Sequence, residues 1–90
     1  MEKIVIIGAG GHGRVILDIL RAANDYQPIG FIDANTALHG HRIDGLKVLG
    51  DLSILESLKF QGVTGAIVAI GDNGVRREYA EQINEIDIKL

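Results

Sequence analysis

The chain opens with an unbroken apolar run, Ile4-Val-Ile-Ile7, placed directly before Gly8-Ala-Gly-Gly-His-Gly13. After the glycines, Ile16, Ile19, Leu20 and Ala23 recur at helical spacing, with Arg14, Asp18 and Arg21 on the opposite face and Asn24-Asp25 as a stop. This pattern predicts a buried strand, a glycine turn and a core-packed helix. A second run, Ile29-Gly-Phe-Ile32, starts at Pro28 and closes at Asp33-Ala-Asn35, predicting a short strand with an acid at its carboxyl end. Residues 34–50 carry Gly40, Gly45, Gly50 and the turn dipeptide Asp44-Gly45, and read as a loop with room for a short strand at Lys47-Val-Leu49. Asp51 is the expected N-cap of a helix from Leu52 to Phe60, with Leu55 and Leu58 among its apolar positions and Gly62 just past its end. Ala66-Ile-Val-Ala-Ile70 predicts a buried strand and Gly71-Asp-Asn-Gly74 a second turn. Val75, Tyr79 and Ile83 then predict a last helix, and Ile86 to Leu90 an edge strand. Such alternation predicts an α/β fold with a small parallel sheet flanked by helices, a βαβ unit followed by α-β-α-β.

Ninety residues allow one domain, residues 1–90, with one modest core. A net charge of −3 gives no general attraction to nucleic acid or to an anionic membrane, so neither is expected as a partner and any basic site must be local. The lack of cysteine excludes disulfides, thiolate chemistry and cysteine-bound zinc, and fits a reducing cytoplasm. Ile4 to Ile7 is too short for a signal peptide or a membrane span, so a soluble protein that stays in the cytoplasm is expected.

The glycine loop carries the chemistry. The first turn of a helix leaves N–H groups unpaired beside a partial positive charge, and phosphate is their natural occupant. Gly8, Gly10 and Gly13 fit the dinucleotide pattern G-x-G-x-x-G between a strand and a helix, and Asp33 lies near the distance expected of an acid on a ribose hydroxyl. Arg14-Val15 stands where a Walker A loop needs Lys and Ser or Thr, which excludes an NTPase. Neither Tyr26 nor Tyr79 has Lys four residues later, so the Tyr-x-x-x-Lys pair of short-chain epimerases and dehydratases is missing. Parallel sheets bind ligands beyond the carboxyl ends of their strands, so the Gly8 loop, Asp33 and the Gly71 loop are expected along one edge.

His12 sits inside the loop, where it either faces a ligand, as a donor or as an anion-coupled group, or bonds to the loop backbone. His39 and His41 lack acidic or cysteine companions at metal-ligand spacing and are expected to be solvated, with no metal. Arg76 and Arg77 oppose the dipole of the last helix at its first turn, a cost that a nearby anion would reverse. Arg77 has Glu81 at i+4 whereas Arg76 has only Asp72 behind it, so Arg76 is the candidate for contacting phosphate or sugar.

Taken together, Gly8-Ala-Gly-Gly-His-Gly-Arg-Val15, Gly30-Phe-Ile-Asp33, Val48-Leu-Gly-Asp51 and Ala69-Ile-Gly-Asp-Asn-Gly-Val-Arg76 resemble the N-terminal domain of the PglD/NeuD-type sugar acyltransferases over nearly the whole chain. The resemblance implies a Rossmann-like domain that binds the nucleotide part of a UDP- or CMP-type activated sugar, in bacterial surface polysaccharide or glycoconjugate biosynthesis. It implies a ligand against Gly10, Gly11, His12, Asp33 and Gly71. Members often carry a second acid after the one at Asp33, and this chain has Ala34 there. Members also continue into a left-handed β-helix of hexapeptide repeats that trimerises, binds acetyl-CoA and supplies the catalytic histidine. No such repeat occurs within these residues, so the chain is expected to bind and not catalyse, as a fragment or isolated N-terminal domain without its own cofactor. The second reading is a small NAD- or CoA-binding regulatory domain, with Asp33 on a ribose and the glycine loop on a pyrophosphate.

Overall fold

The computed structural model describes residues 1–85, and the edge strand expected at residues 86–90 lies outside them. The chain runs β1 (Glu2–Ile7), α1 (Gly11–Ala23), β2 (Tyr26–Ile32), β3 (Arg42–Ile43), β4 (Leu46–Gly50), α2 (Leu55–Phe60), β5 (Val63–Val68) and α3 (Asn73–Glu85). The sheet order is β3-β4-β2-β1-β5, with β1, β2, β4 and β5 parallel and β3 antiparallel to β4. This is the expected mixed α/β architecture. Ile4 to Ile7 are all buried because β1 lies between β2 and β5 and is covered on both faces. Successive side chains alternate: Ile4 and Ile6 join Leu17 and Leu20 of α1 and Phe31, while Val5 and Ile7 join Leu55 and Leu58 of α2 and Ile83 of α3. Burying each such side chain fully contributes about 1.5–3 kcal/mol.

The face that α1 buries differs from the one read from its spacing. Gly13, Leu17 and Leu20 are buried and Ile16 is partly so, whereas Ile19 is 57% exposed and Ala23 is exposed. Val15, Ile16, Leu17, Ile19 and Leu20 are all apolar, so the pattern fits more than one rotation of the helix. The glycine loop fixes it: a Cβ on Gly13 would lie 1.9 Å from the Gly8 carbonyl oxygen, so the two backbones pack directly and turn Leu17 inward. Asn24 ends the helix in the left-handed region at φ 56°, its N–H on the Leu20 carbonyl.

The stretch read as a loop holds the β3–β4 hairpin as well as a 3₁₀ turn over Thr36–Leu38. Asp44 and Gly45, both at positive φ, form its two-residue turn, as Asp-Gly favours. Arg14 grips the Asp44 carboxylate with two donors, at 2.9 and 3.1 Å, and Arg21 donates to the Asp44 carbonyl at 2.7 Å. β5 also starts earlier than its apolar run, at Val63, because pairing with β1 carries it through Thr64 and Gly65. Asp51 caps a 3₁₀ turn, Leu52–Ile54, that leads into α2 rather than the α-helix itself.

These contacts contribute to stability against acid. The Arg14 guanidinium holds the Asp44 carboxyl below its usual range by hydrogen bonding, and the Ser53 hydroxyl and N–H do the same for Asp51. A carboxyl depressed in the folded state contributes stability above its unfolded value, near pH 3.9, and loses it as pH falls through the lower folded value. Urea midpoints are therefore expected to decline below about pH 4. Asp44→Asn, which tolerates the same backbone angle, should remove part of that decline. A midpoint that rises on acidification, or an unaltered slope in the variant, would contradict the assignment.

Candidate functional site

The carboxyl ends of the parallel strands meet in one layer of backbone bonds. The Gly8 N–H donates to the Ile32 carbonyl at 2.7 Å, the Ala69 N–H to the Ile7 carbonyl at 2.8 Å, and the Asp33 N–H to the Gly50 carbonyl at 2.9 Å. The loops after β1, β2, β4 and β5 are thus held side by side, as the parallel order requires. Gly8 makes the exit from β1 possible: it sits at φ +111°, and a Cβ there would lie 2.7 Å from the Ala69 carbonyl oxygen.

Between these ends lies a pocket of about 240 Å³. Gly8, Asp33 and Ala34 line it, together with Leu52, Ile70 at the exit of β5 and Tyr79 of α3, which bring apolar and aromatic surface. The spacing of Tyr79 marked it as a helix position but gave no sign that it borders a pocket, because the pocket exists only once α3 crosses the strand ends. Ala34 leaves its part of the wall without a second carboxylate.

Asp33 is half-buried, and its carboxylate is engaged by backbone on both oxygens. Oδ2 accepts the Ala9 N–H at 2.9 Å, 24 residues back, and Oδ1 accepts the Asn35 N–H at 2.9 Å. The acid read as a ribose contact therefore also latches the glycine loop to the end of β2. His39, expected to be solvated, is instead half-buried, with its Nε2 2.7 Å from the Asp33 carbonyl oxygen. No local spacing could reveal this, because the partner atom is a backbone carbonyl at a strand end. His41 is exposed, as expected. Among the described residues no group of three or more His, Asp or Glu is placed to hold a metal ion.

The two helix N-termini at this edge differ. In α1 the N-cap is Gly10, which offers no side-chain bond, and no acid occupies the first turn. Its first N–H groups are left to other partners. Gly10, Gly11 and His12 are all exposed, and beyond the local backbone no atom lies within 4 Å of the place a Cβ would take on either glycine. In α3 the Asp72 carboxylate accepts the Val75 N–H at 3.0 Å and the Asp72 carbonyl accepts the Arg76 N–H at 2.9 Å, so this terminus carries its own anion. Gly71 is exposed just after Ile70 of the pocket wall. Arg76 lies apart from that pocket, lining a shallow depression with Ala66, Ile67, Val68 and Ala80. The structure thus brings together Gly8, Asp33 and the residue before Gly71, sets Gly10 to His12 on the adjoining helix start, and places Arg76 on a separate surface. No helix among the described residues is long and apolar enough to cross a membrane.

A mutant of perosamine N-acetyltransferase from Caulobacter crescentus, crystallised with CoA and GDP-perosamine, is 33% identical to this chain with a TM-score of 0.87, over 100% of this chain and 41% of its own. The acetyltransferase domain of PglB from Neisseria gonorrhoeae, in complex with acetyl coenzyme A, is 30% identical with a TM-score of 0.81, over 99% of this chain and 42% of its own. UDP-D-quinovosamine 4-dehydrogenase from Vibrio fischeri, 23% identical with a TM-score of 0.84 over 97% of this chain and 73% of its own, shares the fold. A search of curated protein sequences gave no significant match. The chain spans about two fifths of the length of the two acetyltransferase structures. The PglD N-terminal domain family matches residues 3–83, nearly the whole described length, and the chain belongs to that family.

Proposed function

We propose that the chain is the part of a sugar acetyltransferase that binds the nucleotide-linked sugar acceptor. The observation that carries this reading is the uncapped start of α1, with open space above Gly10 and Gly11, beside the pocket at Asp33. A diphosphate would accept the free N–H groups of Gly11 and His12 while the base enters the pocket against Leu52, Ile70 and Tyr79. Phosphate is better served by α1 than by α3, whose first turn already holds the Asp72 carboxylate. Gly71 would then border the nucleotide, and Arg76 would reach the sugar or phosphate only from its own side of β5.

The nucleotide is of the UDP or CMP type that the sequence resemblance implies, or of the GDP type bound by the Caulobacter enzyme. Acetyl-CoA is the donor used by the rest of the parent enzyme, a homotrimer built on a β-helix, working in the cytoplasm with which a cysteine-free chain is consistent.

Amide NMR titration of the chain with UDP, a UDP-linked amino sugar, a GDP-linked sugar, CMP-sialic acid and NAD tests the reading. Shifts at Gly10 to His12, Asp33 and Gly71 with a sugar nucleotide support it, whereas saturable binding of NAD alone replaces it with the regulatory dinucleotide reading. His12→Ala is expected to weaken a sugar nucleotide about three- to tenfold, the value of one hydrogen bond, and to leave the free nucleoside diphosphate nearly unchanged. Equal weakening of both would place His12 on the phosphates instead.

A further inference from the structure

Asp33 uses every hydrogen-bonding group it has. Its N–H is on Gly50, its two carboxylate oxygens are on the N–H groups of Ala9 and Asn35, and its carbonyl faces the His39 ring. A carbonyl only accepts, so Nε2 of His39 is the nitrogen that carries the proton. The backbone around His39 is itself fixed to the sheet: the Gly40 N–H donates to the Val48 carbonyl and the Val48 N–H to the His41 carbonyl, each at 2.8 Å. The ring therefore projects from a segment tied to β4 and meets the end of β2. The Asp51 carboxyl is held low chiefly by Ser53, and Leu52 beside it lines the pocket.

We infer that His39 is a positioning residue: by holding the Asp33 carbonyl it sets where the Asp33 carboxylate takes the Ala9 N–H, and so how the glycine loop is presented to phosphate. The chain of contacts is His39 Nε2–H to the Asp33 carbonyl, then Asp33 Oδ2 to the Ala9 N–H, at 2.7 and 2.9 Å. Two hydrogen bonds thus span 30 residues of sequence and end one residue before Gly10. Gly10 and Gly11 are held by the backbone of α1 itself, the Gly10 carbonyl accepting the Arg14 N–H at 3.1 Å, and the bond at Ala9 ties this start of the helix to the end of β2. The ligand side of the inference rests on the sugar-nucleotide reading above; the loop side does not.

His39→Leu and His39→Gln separate the role from simple stability, because glutamine keeps an N–H donor near the Nε2 position and leucine keeps only bulk. The Ala9 amide resonance of the ligand-free chain, the thermal midpoint, and the affinities for UDP-N-acetylglucosamine and GDP-mannose are measured for each. In His39→Leu the Ala9 resonance should move and the affinity of the folded protein should fall about tenfold, with His39→Gln restoring both. A merely structural histidine would lower the midpoint and leave the affinity of the folded fraction as in the wild type. An Ala9 resonance unchanged in His39→Leu, or an affinity unchanged beside a lowered midpoint, overturns the inference. If the wild type binds neither probe, the sugar-nucleotide reading fails, and the Ala9 resonance alone decides for or against His39.

Discussion

Replacing Gly13 by alanine is expected to lower the thermal midpoint by more than about 12 °C, corresponding to about 3 kcal/mol or more for a domain of this size. Helix propensity alone argues the other way, since alanine inside a helix is favoured over glycine by about 1 kcal/mol. The clash decides the sign. The new Cβ would lie 1.9 Å from the Gly8 carbonyl oxygen, 3.0 Å from the Gly8 carbonyl carbon and 3.3 Å from Cε1 of Phe31, which is fully buried. Two of these neighbours are backbone, so no side chain can rotate aside, and relief requires α1 to move off β1 and uncover Leu17 and Leu20. At roughly 0.05–0.15 kcal/mol per residue, total stability is small enough for this one methyl group to remove a large share of it. A Gly13→Ala chain that melts at or above the wild-type temperature would show that the Gly8–Gly13 contact does not set the helix.

The same substitution two residues earlier should do the opposite. Gly11 is the first residue of α1, and beyond the local backbone the place for its Cβ has no atom within 4 Å, so Gly11→Ala is expected to hold the thermal midpoint or raise it, by a gain of up to about 1 kcal/mol in helix propensity. Under the sugar-nucleotide reading that open space is where the phosphates approach. A methyl group there should weaken binding more than about tenfold, the loss of one charge-assisted hydrogen bond, because bonds to charged groups contribute about 1.5–3 kcal/mol each. Parallel thermal melts and sugar-nucleotide titrations read both effects on one sample. Full affinity in a folded Gly11→Ala chain would remove the phosphates from α1 and with them the main support for the proposal. The pair is informative because both glycines lie in the first turn of α1 and differ in what surrounds them.

The parts of the site that sequence makes legible are those with a local backbone cause. Gly8 stands where the chain must leave β1 at positive φ, and the Asp44-Gly45 dipeptide marks a turn. The continuous run Ile4 to Ile7 announces a strand covered on both faces, and the alternation of strand and helix patterns announces a parallel sheet. The β3–β4 hairpin was hidden because two of its strand residues, Arg42 and Ile43, are too few to show a period. Its turn was visible and its pairing was not.

What the sequence determined by itself is therefore the order of elements, the depth of β1 and the placing of glycines where side chains do not fit, all properties of residues within a few positions of one another. The motifs, in their order, also carried the family. Only the tertiary structure decided which face of α1 is buried, because a helix apolar at Val15, Ile16, Leu17, Ile19 and Leu20 has no unique phase until Gly13 meets Gly8. It alone gave Asp33 its grip on Ala9, His39 its place behind Asp33, and Tyr79 its place on the pocket wall. These partners lie up to dozens of residues apart or are backbone atoms that every residue possesses. No pattern of side-chain types along the chain can specify them; they follow from where the sheet brings its strand ends together.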